Sequence, residues 1–560
     1  MKDRKWWQKE IIYQIYPRSF YDANGDGIGD IKGITSKLEY LKDLGITMIW
    51  ICPIYKSPMV DNGYDISDYL GINPEFGSME DLDELLERAQ ALGIKVMLDL
   101  VINHTSDEHR WFKEALKNPN SPYRDYYILK DGVENKEPNN WRSIFGGSVW
   151  EKLQNEDKYY MHVFDKKQPD LNFENPRLRN EIYNMINTWL DKGLAGFRVD
   201  SITFLKKDQQ FESYQPDGSD GLVTCKHGTR NQPGIDIFLN ELKENTFTKY
   251  DCVTVGEAPG VKYDELSDFI GENGYFSMIF DFKYADIDVE SGSDWFKRTN
   301  WTTQEFKELL FNSQKEIQKV GWSANFIENH DQPRALSKYI TDEKYQNYIG
   351  GSALAMMYFF LRGTPFIYQG QELGMTNFKR KSIKEFNDIS SIDNYYRSIE
   401  EGFSETEALN FVNLRSRDNT RTPFPWDNTE NAGFTNGTPW IGLTTNFPCV
   451  NAKDEVENNQ SLFNFYKYMI ELRNHSKYKE VLIYGTFEEV NHVSENIISY
   501  YRHNETHTIQ VIINLSNKED QIEIENDRFE VLMQNYEKVD RNDRKLLLKP
   551  YEAIMIELYI

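Results

Sequence analysis

Eight short apolar runs recur over the first 480 residues, each followed by an amphipathic helical pattern. They are 11–17 (IIYQIYP), 47–53 (TMIWICP), 95–104 (KVMLDLVINH), 196–200 (GFRVD), 252–257 (CVTVGE), 277–282 (SMIFDF), 323–331 (SANFIENHD) and 364–372 (TPFIYQGQE). Near-continuous apolarity marks strands buried on both faces, as in a parallel sheet. The helices between them have readable ends. Ser78 and Asp81 form an S-x-x-D cap before Leu82, Leu85, Leu86, Ala89 and Leu92, and Gly93 stops that helix. Asn175-Pro176 opens another with Leu178, Ile182, Ile186, Trp189 and Leu190 inward, closed by Gly193. Eight such units predict an α/β fold, a (β/α)8 TIM barrel.

Two stretches break the rhythm. Residues 105–170, after the third strand, are rich in Asn, Pro, Trp and Tyr and read as an inserted subdomain. Residues 373–430, after the eighth, form a long polar segment at the face where barrels build their sites. Beyond 481 the pattern changes to strands at 497–502, 507–515, 520–525, 528–533 and 553–559. The expected division is a barrel of 1–104 and 171–480, an insert of 105–170 and a C-terminal β-sandwich of 481–560.

Composition excludes several classes of function. With 64 Lys+Arg against 89 Asp+Glu, the net charge of −25 repels nucleic acid and anionic membranes. It does not oppose a neutral substrate, and 14% aromatic residues suit a sugar handler. Cys52, Cys225, Cys252 and Cys449 form no CxxC, so neither a disulfide framework nor a zinc site is expected. No apolar run approaches a membrane span, and the N-terminus has no signal-like apolar segment. The expectation is a cytoplasmic monomer with no nucleic-acid or membrane partner and a small oligosaccharide substrate.

Barrel enzymes carry their chemistry at the C-terminal ends of strands. The third run ends in Asp99, Asn103 and His104, the fourth in Arg198 and Asp200, the fifth in Glu257, and the seventh in Asn329, His330 and Asp331. Converging acids repel, so a fold collects them only for use. Paired carboxylates without a metal-type cluster point to glycoside hydrolysis. Arg198, two residues before Asp200, shares its strand face and would keep it ionised as nucleophile. Glu257 ends an apolar strand, where burial raises its pKa and suits it to be the acid and then the base. Asp331 would steady the oxocarbenium charge. His104 and His330 would donate to sugar hydroxyls.

These blocks resemble glycoside hydrolase family 13, the α-amylase family. DLVINH (99–104), GFRVD (196–200), VGEA (255–258) and ENHD (328–331) match its four main motifs in order. QPDLN (168–172) resembles the fifth motif of the oligo-1,6-glucosidase subgroup. WWQKEIIYQIYPRSF (6–20), DNGYDISDY (61–69), YQGQELGMTN (368–377) and SRDNTRTP (416–423) extend the likeness over nearly the whole barrel. The resemblance implies a retaining, exo-acting α-glucosidase with Asp200, Glu257 and Asp331 as its triad. It implies a glucose pocket lined by Asp61, Tyr64, His104, Arg198, His330 and Arg417. Catalysis needs no cofactor.

The segment Asp22-Ala23-Asn24-Gly25-Asp26-Gly27-Ile28-Gly29-Asp30 spaces oxygen ligands at alternate positions, with glycines for a tight loop, which suits a hard divalent cation. Similar loops in the subgroup hold a structural Ca²⁺ through Asp22, Asn24, Asp26, the Ile28 carbonyl and Asp30.

Three features depart from the subgroup. Ser201 follows the nucleophile where Val accompanies α-1,6 preference, so it leans towards α-1,4 or broad specificity. Phe424-Pro425 replaces Met-Gln and is expected to shape the pocket entrance. Segment 206–234 is expected on the acceptor side, and its Lys206, Lys207, Lys226, His227 and Arg230 leave room for a trehalose-6-phosphate hydrolase. A sucrose isomerase or transglucosylase is the next alternative. A non-catalytic, transporter-associated relative would lack the triad.

Overall fold

The computed structural model describes residues 4–134, 136–154 and 156–559. The first three residues of the polar N-terminus therefore lie outside the described residues. Eight parallel strands form one sheet: β1 (Ile12–Ile15), β2 (Met48–Ile51), β3 (Lys95–Leu100), β4 (Gly196–Val199), β5 (Val253–Glu257), β6 (Met278–Phe280), β7 (Ala324–Asn325) and β8 (Thr364–Tyr368). Their order is β6-β5-β4-β3-β2-β1-β8-β7. A bridge from Ile279 to Ser323, just before β7, joins the two edges and closes the barrel. All eight runs read from the sequence are present, on both sides of a continuous apolar core. Helix Met79–Ala91 starts at the Ser78–Asp81 capping box, and helix Pro176–Asp191 is capped by Asn175.

Several strands end earlier than the apolar runs suggest. β3 stops at Leu100 and β7 spans only Ala324–Asn325, so His104, Asn329, His330 and Asp331 sit in loops beyond the ladder. Side chains satisfy the carbonyls there in place of a neighbouring strand. The Tyr69 hydroxyl donates to the Val101 and His104 carbonyls, and Tyr284 donates to that of Phe326. The apolar runs continue because these loops stay buried, although they are no longer extended.

The insert carries a three-stranded antiparallel sheet of Leu129–Asp131, Lys158–Met161 and Trp150–Lys152. Its core is not made from the insert alone. Val223–Thr224 pairs with Trp141–Arg142, and Phe204, Phe211, Val223 and Cys225 pack with Trp141, Val149, Trp150 and Met161. Segment 206–234 thus contributes Phe211, Val223 and Cys225 to the core of the insert. At the C-terminus, Ile497–His503, Thr508–Asn514, Ala553–Leu558, Phe529–Gln534 and Thr486–Glu489 make one antiparallel sheet. Asp520–Glu523, Lys545–Leu548 and Asp540–Asn542 make a second, and Ile512, Ile522, Leu546 and Ile556 are buried between them. The charged strands 486–489, 540–542 and 545–548 were not legible as strands. Arg502 docks this unit on the barrel by donating to the carbonyls of Phe360, Leu482, Ile483 and Gly485.

β4 begins at Gly196, whose φ is +155°, and a Cβ there would lie 1.7 Å from the Val253 carbonyl oxygen. Only glycine lets β4 and β5 approach this closely. Gly196→Ala is expected to cost about 3 kcal/mol in urea denaturation. A loss below about 1 kcal/mol would mean that the β4–β5 contact yields freely.

Candidate active site

The parallel register brings Arg198 of β4 directly opposite Asp99 of β3, with Val255 of β5 on its other side. Two strand positions on, the chain reaches Asp200, on the face that Arg198 occupies. The Arg198 guanidinium is fully buried. Its Nη1 donates to Asp99 Oδ1 at 2.7 Å and Asp200 Oδ1 at 2.6 Å, and its Nη2 lies 3.0 Å from Glu257 Oε2. One cation thus holds three carboxylates. Asp99 Oδ2 accepts from Trp50 Nε1 and the Tyr64 hydroxyl, which occupies it fully inside the barrel.

These carboxylates do not share one proton affinity. Burial pushes Asp200 up to about 6 against the pull of Arg198. Desolvation outweighs the arginine, yet Asp200 still ionises at a lower pH than Glu257. Burial also raises Glu257, to about 7, and the neighbouring Asp200 and Asp331 charges add to the rise. Asp331 is different. Burial opposes its ionisation, yet His330, Arg417, Arg421 and Arg198 hold it well below the usual carboxylate range. Its Oδ1 lies 3.0 Å from Arg421 Nη2 and 3.4 Å from Arg417 Nη1, and its Oδ2 lies 3.0 Å from His330 Nε2.

A second network forms the wall. Arg417 Nη2 reaches Asp61 Oδ1 at 2.9 Å and Asp388 Oδ1 at 2.6 Å. Gln168 Nε2 donates to Asp61 Oδ2 at 3.1 Å and lies 3.2 Å from His104 Nε2, which in turn is 3.0 Å from the Tyr64 carbonyl. Burial holds both His104 and His330 neutral. Ser201, in a left-handed conformation at φ 45°, donates its backbone N–H to Glu257 Oε2 at 2.8 Å. Asp61, Tyr64, His104, Arg198, Asp200, Ser201, Glu257, His330, Asp331 and Arg417 are thus joined in one constellation. It opens into a cleft of about 1580 Å³ lined in part by Phe145, Phe164, Ser201, Glu257, Asp331 and Arg417.

Sequence reasoning missed Arg421, Asp388 and Gln168 as members of this site. Arg421 lies four residues after Arg417, inside the SRDNTRTP block. Asp388 caps a helix, Ile389–Glu400, within a long polar segment that offers no strand-end position. One expectation fails. Phe424 is fully buried between Phe20 and Trp426 and does not line the cleft. Of the five basic residues, Lys206 pairs with Glu174 and Lys207 is buried against Asp170, leaving only Lys226 and Arg230 on the cleft.

The loop 22–30 lies apart from these carboxylates. Asp22 accepts from the N–H groups of Asn24, Gly25 and Gly27, and Asp30 from those of Ala23 and Gly33. Among the described residues, no Lys or Arg lies within 4 Å of Asp22, Asp26 or Asp30. Hard oxygens with no neutralising side chain have the right chemistry for a hard cation. Among the described residues, however, no three His, Cys, Asp or Glu side chains converge as a ligand group.

The family described as "Alpha amylase, catalytic domain" matches residues 14–485, and "Alpha-amylase SusG C-terminal domain" matches 497–555. The chain is 45% identical to the probable oligo-1,6-glucosidase 3 of Bacillus subtilis (strain 168), over 98% of this chain and 99% of that one. It superposes on the Bacillus licheniformis trehalose-6-phosphate hydrolase with a TM-score of 0.90 and 40% identity, each chain covered in full at 100%. The isomaltulose synthase from Klebsiella sp. LX3 superposes with a TM-score of 0.93 and 38% identity, over 99% of this chain and 100% of that one.

Removing the shared cation leaves three buried carboxylates without a balancing charge. Arg198→Met is expected to cost about 3–5 kcal/mol at pH 8. Burial raises Asp99, Asp200 and Glu257 above their ordinary values, so their cost to the fold grows from about pH 4, where unfolded carboxylates ionise, and is complete above about 6 to 7. The loss should therefore be smaller at pH 5, where the three are protonated. Urea denaturation at both pH values checks this, and an equal loss at both would contradict it.

Proposed function

The chain belongs to the α-amylase family, in its oligo-1,6-glucosidase group, and on that premise we propose that it is a retaining, exo-acting α-glucosidase. It releases glucose from the non-reducing end of short α-1,4- or α-1,6-linked glucosides. The observation that carries this reading is the shared Arg198, which holds Asp200 and Glu257 together while burial leaves Glu257 the weaker acid.

Asp200 Oδ1 is tied to Arg198, so Oδ2 is the oxygen that attacks the anomeric carbon. Glu257 Oε2 is tied to Arg198 and the Ser201 N–H, so Oε1 carries the proton. As the Asp200–C1 bond forms, the glycosidic C–O bond breaks and its oxygen takes the proton from Glu257. In the second step, ionised Glu257 takes a proton from water as that water attacks C1. The ester breaks, Asp200 leaves as carboxylate, and configuration is retained after two inversions. Asp331, kept anionic by two arginines, stabilises the oxocarbenium charge in both steps. Exo action goes with the buried Asp61–Arg417–Asp388 network, whose arginine lines the cleft.

The division into barrel (1–104, 171–480), insert (105–170) and C-terminal unit (481–560) goes with this reading, as does a cytoplasmic monomer. No described helix is long and apolar enough to cross a membrane. A phosphate-bearing aglycone is the second reading, since Lys226 and Arg230 line the cleft. A structural Ca²⁺ held by Asp22, Asn24, Asp26, the Ile28 carbonyl and Asp30 is also proposed. The three carboxylates left without a basic partner support it.

Chromatography of products from maltose, isomaltose, sucrose, trehalose and trehalose 6-phosphate tests the function. Glucose is expected from maltose or isomaltose, with at least about a 10³-fold loss in Asp200→Asn. Cleavage of the phosphorylated sugar alone would transfer the assignment, and isomerised sucrose would point to a synthase. The pH profile of kcat/KM is expected to be a bell bounded near 6 and 7. Below it Asp200 is protonated and cannot attack; above it Glu257 has lost its proton. Glu257→Gln should remove the alkaline limb, and an unchanged profile would contradict the role. Chelation should lower stability, and Ca²⁺ at 100 times its Kd should restore about 2.7 kcal/mol. Equal melting curves with and without chelator would dismiss the ion.

A further inference from the structure

A glutamine stands in the middle of β1, where all four residues are buried. A buried amide is costly unless its hydrogen bonds are made. Gln14 Nε2 lies 2.8 Å from His330 Nδ1 and 3.3 Å from Cys52 Sγ. The other ring nitrogen, Nε2, lies 2.6 Å from the Tyr64 hydroxyl and 3.0 Å from Asp331 Oδ2. His330 is fully buried, so both of its nitrogens depend on these protein partners.

The heavy atoms decide where the ring proton sits. The Tyr64 hydroxyl reaches Asp99 Oδ2 at 3.2 Å as well as the ring at 2.6 Å, and a hydrogen donated to that carboxylate leaves its oxygen to accept from the ring. Asp331 is an anion and also accepts. Two acceptors at Nε2 require a hydrogen there, and the opposite tautomer would aim a lone pair at the Asp331 carboxylate. Burial keeps the ring neutral, with its pKa pushed down to about 3. A neutral imidazole with a proton on Nε2 has a bare lone pair at Nδ1, which needs a donor. The Gln14 amide supplies it.

We infer that Gln14 is the positioning residue for His330: its amide N–H fills the Nδ1 lone pair and so fixes the ring proton on Nε2, beside Asp331. The tautomer is independent of the proposed function. Its effect on rate rests on the reading of Asp331 as the oxocarbenium stabiliser. Without Gln14 the ring can turn its lone pair to Asp331 and spoil the charge balance there.

The test uses the full chain with ¹⁵N-labelled histidine, the His330 signals being identified by their loss in His330→Asn. The native protein is expected to show Nδ1 bare and Nε2 protonated. Gln14→Glu, which replaces the donor by an acceptor, should move a proton to Nδ1. Gln14→Met, of similar length and without a donor, should lower kcat on 4-nitrophenyl α-glucoside by about 10- to 100-fold, with KM little changed, the range seen when imidazole-orienting partners are lost. A native spectrum with the proton on Nδ1 overturns the inference, and so does Gln14→Met with native kcat and native tautomer. Should Gln14→Met fail to fold, the native spectrum and the Gln14→Glu spectrum still decide. A chain inactive on all glucosides would sink the proposed function and leave the tautomer to be judged by the spectra.

Discussion

One buried guanidinium governs this site. Arg198 carries a single positive charge and faces Asp99, Asp200 and Glu257, so it cannot neutralise all three. The deficit appears as raised proton affinity, distributed according to where each carboxylate sits. A rigid planar fork with two separated nitrogens bridges three oxygens in one layer of the barrel in a fixed geometry, which a compact ammonium on a flexible stem does not pre-organise. The barrel supplies that layer: β3, β4 and β5 run parallel in register, so Asp99 and Arg198 stand opposite each other and Glu257 ends the next strand. The close approach of β4 to β5 over Gly196 belongs to the same arrangement.

The pocket wall follows the same logic, one arginine among several carboxylates. Arg417 serves Asp61 from the segment after β2 and Asp388 from the segment after β8, and it reaches towards Asp331. The insert closes over it: the Phe145 ring lies 5.1 Å from the Arg417 guanidinium, and Gly146 leaves no room for a Cβ beside Asp393. Three segments far apart in the chain therefore meet on one arginine. An ion network that is buried and hydrogen-bonded loses much if any partner is removed, so such loops have little freedom to drift.

The strands were legible because burial on both faces leaves a run of apolar residues, and the helices because caps and stop glycines punctuate them. The triad was legible because barrel chemistry sits at strand ends. Asp388 was not, because it comes from a loop whose path obeys no period, while Gln168 and Arg421 stood unremarked inside quoted motif blocks. Phe424 shows the converse error: a departure from the family pattern drew attention, yet the side chain packs in an aromatic core. Segment 206–234 was read by its charges, whereas its apolar residues decide its place against Trp141 and Trp150.

The sequence by itself determined the barrel, the order of its strands along the chain and which acids stand at their ends. These depend on local hydrophobic period and on motifs, both written in one dimension. The tertiary structure alone decided how far burial raises Asp200 and Glu257 and which charges keep Asp331 anionic. Those properties come from desolvation and from charges such as Arg421, contributed by residues far along the chain. A pKa is set by everything within a few ångströms, and no spacing in a sequence says what those neighbours are until the chain has folded.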